Sequence, residues 1–149
     1  MLFRSSDHIF DPATARALLR YPLRTGEVIL AVDRNIGRVF DIDDATKVRL
    51  DGDRIIDIGK TLDRYDALDT GMFHCGPVLF RWLEEAMKSG NCSLSDGMRL
   101  MAQNGTFIAF DIGEGQWQDV DTPEALEFAL ESFPTPLPTI TNGPKLVYV

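Results

Sequence analysis

The chain carries no glycine-rich run of the kind whose backbone N–H groups cradle a triphosphate, and it is short of cysteine and of basic residues. Its two cysteines, Cys75 and Cys92, lie far apart and match neither a disulfide framework nor metal-ligand spacing. A reducing, cytoplasmic setting is the simplest reading of that usage. No signal peptide opens the sequence, and no apolar run approaches the roughly 18 residues of a membrane span. Lysine and arginine total 15 against 23 acidic residues, a net charge of −8. That balance argues against a nucleic-acid partner, since a phosphate backbone needs a basic face. It leaves room for a nucleotide ligand, because a divalent cation can bridge acidic side chains to phosphate. No internal repeat is visible.

What is present is ordinary globular material. The 149 residues are 44% apolar and 26% charged, enough for one domain with a real core. Met1 to Ser6 reads as the end of a short strand running into Asp7-His8-Ile9-Phe10. Asp11-Pro12 reads as an N-cap followed by proline at the first helical position, with Ala15, Leu18 and Leu19 forming an apolar stripe. Val28 to Val32 is a continuous apolar run, the pattern of a strand buried on both faces of a parallel sheet. Lys47–Leu50 and Arg54–Ile58 flank Asp51-Gly52-Asp53 and predict a hairpin. Ala67 to Phe73 predicts another strand with a polar interruption. Gly76-Pro77 opens a helix with Leu79, Leu83 and Met87 on one face. Ser93 to Asp96 resembles a capping box ahead of Leu94, Met98 and Met101. Thr106 to Asp111 predicts a strand, and Thr122-Pro123 begins a last helix carrying Leu126, Ala129 and Leu130. The expected fold is α/β: a three-layer sandwich around a mixed, mostly parallel sheet with a β-hairpin insertion. Residues 1–133 form the domain, and 134–149, with four prolines, form a tail.

Two segments place carboxylates where strand patterns stop: Asp7-His8, and Trp117-Gln118-Asp119-Val120-Asp121-Thr122-Pro123. Strand-end carboxylates can converge on one divalent cation. The plainer reading of Asp7 and Asp121 is as caps on the helices that follow. Asp119 competes with Asp121, since strand alternation points the two to the same side. Asp69-Thr70-Gly71 is either a ligand-lining turn, where Gly71 permits close approach, or an ordinary bulge. His8 is more readily a structural hydrogen-bonding residue than a base, and Trp117 a core aromatic beside the site. Nothing marks a catalytic nucleophile.

Five segments in order carry a resemblance: Ser6-Asp7-His8-Ile9-Phe10, Ala45-Thr46-Lys47-Val48, Ile58-Gly59-Lys60, Asp69-Thr70-Gly71-Met72-Phe73 and Trp117 to Pro123. Over residues 1 to about 132 the chain resembles the C-terminal portion of a sugar-phosphate nucleotidyltransferase of Rossmann-like fold. The nearest branch is the cytidylyltransferases that activate inositol phosphate or phosphocholine. The resemblance implies Mg²⁺, held by Asp7 and Asp121. It implies that Lys60 contacts the substrate phosphate, with Lys47 a weaker candidate, and that Asp69, Thr70 and Gly71 line the alcohol pocket. The ligands it implies are CTP or another nucleotide and a small alcohol phosphate. Many sugar-specific relatives carry an acidic residue before the lysine. Gly59 stands there instead, which disfavours a hexose phosphate.

The family's glycine-rich loop would precede the metal aspartate and has no counterpart in the sequence. The expectation is a truncated transferase, inactive alone, whether by natural truncation, as an expressed fragment, or as one half of a split enzyme. A non-catalytic oligomeric binding module is the alternative. Loss of the preceding units would leave the strand before Asp7 at a sheet edge, which predicts a homodimer or higher oligomer.

Overall fold

The computed structural model describes residues 1–88, 90 and 93–133, so the proline-rich tail and Cys92 lie outside the described residues. In chain order the elements are β1 (Leu2–Arg4), β2 (His8–Phe10), α1 (Pro12–Arg20), β3 (Val28–Asp33), β4 (Lys47–Asp51), β5 (Arg54–Gly59), β6 (Ala67–Cys75), α2 (Val78–Lys88), α3 (Leu94–Gln103), β7 (Phe107–Asp111), β8 (Trp117–Asp119) and α4 (Pro123–Ser132). Among the described residues, no helix is long and apolar enough to cross a membrane.

The apolar run becomes β3, buried along its whole length. Successive side chains of a strand point to opposite faces. Val28, Leu30 and Val32 therefore enter one core with Phe73, Phe107 and, from the two helices of that face, Leu79 and Met101. Ile29 and Ala31 enter a second core with Leu18 of α1, Leu68 and Met72. One strand thus feeds two apolar layers, with α2 and α3 on one face and α1 on the other.

The strands follow the order β1-β6-β3-β7-β5-β4, and β2 pairs with β8 in a separate two-stranded ribbon. The expected hairpin forms between β4 and β5, with Gly52 at φ 63° in its turn. The expectation of a mostly parallel sheet is corrected. Among the described residues, only β3 and β7 pair in parallel, Val28 opposite Phe107. The pairings of β6 with β1, β3 and β4, and of β5 with β4 and β7, are all antiparallel. The cause is connectivity. A parallel neighbour needs a long crossover, and β6 is entered straight from the hairpin without one. β4 also returns to β6, Lys47 opposite Leu68, so β6, β3, β7, β5 and β4 curl into a closed ring of pairings.

The helix starts follow their caps. Asp11 accepts a hydrogen bond from Ala13 N at 2.8 Å ahead of Pro12, and Ser93 and Asp96 form a reciprocal capping box. Two predicted stripes are corrected. On α2 the row facing inward is Leu79, Leu83 and Ala86, while Met87 is exposed. On α4 the buried positions are Ala125 and Ala129, and Leu126 and Leu130 face outward. Both helices approach their neighbours through small side chains, which rotates the larger ones away. At the α2–α3 contact, a Cβ added to Gly97 would lie 2.6 Å from Leu83 Cδ2.

β1 lies at the sheet edge, as expected, with Phe3 opposite Phe73. The ribbon pairs His8 with Asp119 and Phe10 with Trp117, and is extended by Val120 N to Asp7 O and Asp11 N to Gln116 O, both 2.9 Å. These bonds bring the two carboxylate-bearing segments side by side.

Candidate metal and phosphate site

The ribbon is fixed to the sheet by buried polar contacts. Trp117 Nε1 donates to Asp33 Oδ2 at 3.0 Å, joining β8 to the end of β3. His8 Nδ1 donates to Thr70 O at 2.7 Å, and its ring lies 5.4 Å from that of Trp117. Thr70 Oγ1 donates inward to Ala31 O at 2.9 Å. Gly71, at φ 73°, passes under the imidazole, where an added Cβ would lie 2.5 Å from His8 Nδ1. The Asp69 carboxylate accepts from Gly71 N at 2.7 Å and closes the turn. Burial pushes the Asp69 carboxyl up to about 6, against the opposing pull of the Gly71 N–H and of His8.

Among the described residues, two acidic groupings share Asp119. Ligand atoms of Asp7, His8 and Asp119 lie within 4.8 Å of one another, and so do those of Asp44, Asp119 and Asp121. His8 Nε2 stands 3.5 Å from Asp119 Oδ2 and 3.9 Å from Asp7 Oδ1. Asp119 Oδ1 is enclosed and has no hydrogen-bond partner among the described residues. Burial, then the neighbouring Asp121, Asp7 and Asp44, raise the Asp119 carboxyl above the usual carboxylate range, against His8. Asp7 behaves oppositely: the Ser5 hydroxyl, donating at 2.5 Å, holds its carboxyl below that range. Lys60 Nζ sits 2.7 Å from Asp44 Oδ1, and that hydrogen bond raises the ammonium pKa.

These groups face a cleft of about 230 Å³. Lys60, Asp44, Asp69, Gly71, Asp119 and Asp121 line it. Of the residues singled out in the sequence, Lys60, Asp69, Gly71 and Asp121 thus come together. Asp7 stands at the ribbon's outer end, next to Asp119 through His8 and apart from the Asp121 grouping. Thr70 is buried, and its contribution is the carbonyl that holds His8. Lys47 is buried as well. Its Nζ donates to Asp43 O at 3.1 Å and Ala45 O at 3.2 Å, bracing the loop that carries Asp44.

Sequence reasoning did not single out Asp44, and it ranked Asp119 behind Asp121. The acidic run Asp41-Ile42-Asp43-Asp44 was the available signal, but nothing local ranks its members. The donor set suits a hard cation. Three carboxylates converge, one buried oxygen lacks a partner, and Asp44 and Asp121 are open to solvent that can complete an octahedral shell. The residues present therefore fit a divalent cation.

No protein-family model matches the chain. It is 39% identical over 127 residues to the bifunctional IPC transferase and DIPP synthase of Rubrobacter xylanophilus, covering 84% of this chain and 28% of that protein. The corresponding protein of Thermococcus kodakarensis is 37% identical over 126 residues, 83% of this chain and 27% of that one. The chain thus spans a little over a quarter of the length of these relatives. Among solved structures, the inositol-1-phosphate CTP transferase from T. maritima superposes with a TM-score of 0.71 at 24% identity, over 83% of this chain and half of that one. An apo UDP-glucose pyrophosphorylase superposes with a TM-score of 0.68 at 16% identity, over 89% of this chain and 53% of that one. The chain therefore shares the α/β fold of about half of these solved nucleotidyltransferases, and it is homologous to part of the bifunctional IPC transferase and DIPP synthases.

Proposed function

We propose that this chain, homologous to a segment of the bifunctional IPC transferase and DIPP synthases, carries the metal and alcohol-phosphate half of a cytidylyltransferase-type site. In the complete reaction a phosphate oxygen of an alcohol phosphate attacks the α-phosphorus of CTP. A new P–O–P bond forms, the α–β bridge breaks, and pyrophosphate leaves. The observation that carries this reading is the convergence of Asp44, Asp119 and Asp121 opposite Lys60 in one cleft.

Asp119 and Asp121 hold the cation, with Asp44 within reach and Asp7 behind Asp119. When bound, Mg²⁺ offsets the negative charge of the phosphates as they approach. Lys60 receives the phosphate of the alcohol substrate. Asp69 and Gly71 form the wall beside the alcohol, an inositol phosphate being the first candidate. Thr70 and His8 position that wall. Gly59, close to Arg99, leaves a hexose without the acidic partner that sugar-specific relatives supply. The triphosphate cradle is not among these groups, so the chain alone binds without turning over. A cytoplasmic setting is part of the same proposal.

Titration calorimetry with Mg²⁺ or Mn²⁺, then CTP and inositol phosphate, tests this on wild type and Asp121→Ala. Metal-dependent ligand binding that disappears in the variant is the expected result. A wild-type protein that binds neither cation nor phosphate overturns the proposal.

A second reading has one observation behind it. β1 is an edge strand with Met1 and Phe3 exposed, which favours docking against another chain, either a second copy or a partner with a glycine-rich half. Light scattering behind size exclusion should then show a dimer at micromolar concentration. A clean monomer would remove the homodimer.

A further inference from the structure

Asp44 has two sets of neighbours and one carboxylate. Its Oδ1 sits 2.7 Å from Lys60 Nζ. Its carboxylate also lies within 4.8 Å of oxygens on Asp119 and Asp121, and the Lys60 ammonium feels all three charges. Asp44 belongs to a loop whose backbone is held in place. Ala45 N donates to Asp41 O at 3.3 Å, Asp44 N donates to Asp41 Oδ1 at 3.2 Å, and Lys47 Nζ caps two carbonyls of the same turn. The Asp44 side chain itself is about half exposed. It can turn without disturbing the loop.

We infer that Asp44 is an exchangeable counter-ion that links cation binding to phosphate binding. Without a cation it neutralises Lys60. With a cation beside Asp119 and Asp121, its carboxylate turns to the cation and releases the ammonium for phosphate. This rests on the proposed roles of the carboxylates and of Lys60. The charge arithmetic favours it. Asp44, Asp119, Asp121 and Lys60 together carry two negative charges, which repels phosphate, and a divalent cation neutralises that group. Asp44 adds selectivity in time to that balance, because Lys60 becomes available only in the cation-loaded protein. Such coupling is reciprocal, so phosphate must tighten cation binding by the same factor.

The test measures inorganic phosphate binding by equilibrium dialysis and Mn²⁺ binding by electron paramagnetic resonance. The proteins are wild type, Asp44→Asn, and Asp44→Asn combined with Lys60→Met. Asp44→Asn should bind phosphate without metal roughly two- to five-fold more tightly than wild type, as loss of an exposed ion-pair partner allows. It should bind Mn²⁺ more weakly, and Mn²⁺ should improve its phosphate affinity by a smaller factor. The gain in metal-free phosphate binding should vanish in the double variant. If wild type binds Mn²⁺ and phosphate but Asp44→Asn leaves metal-free phosphate binding unchanged, the exchange is overturned while the site's assignment stands. If wild type binds neither, the assignment fails and the exchange with it.

Discussion

β3 and the β2–β8 ribbon are held in place by different forces. β3 is fixed by burial on both faces, with every residue enclosed. The ribbon is three residues wide on each side and is fixed by a few directed contacts: Trp117 to Asp33, His8 to Thr70, and Gly71 under the imidazole. Burial is non-directional and tolerant of detail, so it makes a robust scaffold. Directed contacts specify one geometry, which is what the proposed cation site requires. Damage to the first should therefore cost stability, and damage to the second should cost the site.

The sharpest way to break that division is in the core. Leu30→Ala, at a fully buried position of β3, should destabilise by about 2–5 kcal/mol in chemical denaturation. Cation affinity in the protein that remains folded should be unchanged. A loss of affinity larger than the loss of folded protein would show the two regions to be coupled.

Asp69 offers a test by pH. Its folded pKa of about 6 is raised above the unfolded value, so the fold favours the protonated form. The stability it contributes is fully present below about pH 4 and is lost as pH rises through about 6. A rise from 3.8 to about 6 corresponds to about 3 kcal/mol. Asp69→Asn keeps an oxygen for Gly71 N and should lose that decline, so the difference between the two proteins should grow from pH 4 to pH 7. Parallel stability curves would contradict the assignment of the raised carboxyl.

Trp117→Phe keeps an aromatic side chain and leaves Asp33 without its indole donor. We expect a loss of about 1–3 kcal/mol, with cation affinity falling as well because β8 is no longer anchored. The smallest effect should come from Asp11→Ala. It removes the α1 cap next to the ribbon, costs about 1 kcal/mol, and leaves the site intact.

The same division explains what was legible in the sequence. Strand β3, the hairpin, and the caps of α1, α3 and α4 were readable because their signals are local: an apolar run, Asp-Gly between alternating residues, Asp-Pro and Thr-Pro. The pairing directions were not, since they depend on which strands the curled sheet brings together. Met87, Leu126 and Leu130 had the right spacing but lost their places to alanines that allow closer approach. In the site, the strand-end carboxylates could be named from sequence; Lys60, Asp69 and Gly71 line one cleft with Asp121, while Thr70 and Lys47 are buried. The pairing of Asp119 with His8 was hidden because it comes from cross-strand register, and the approach of Asp44 to Lys60 because it comes from a loop folding back. Both are long-range facts with no local signature.

The central claim is that Asp119 anchors a divalent-cation site in this cleft. Mn²⁺ titration followed by electron paramagnetic resonance, on wild type and Asp119→Asn, tests it most directly. The account predicts one bound ion in wild type and at least about a tenfold loss of affinity in the variant, the usual scale for weakening a metal site by one group. Equal binding by the two proteins, or none by wild type, would contradict it.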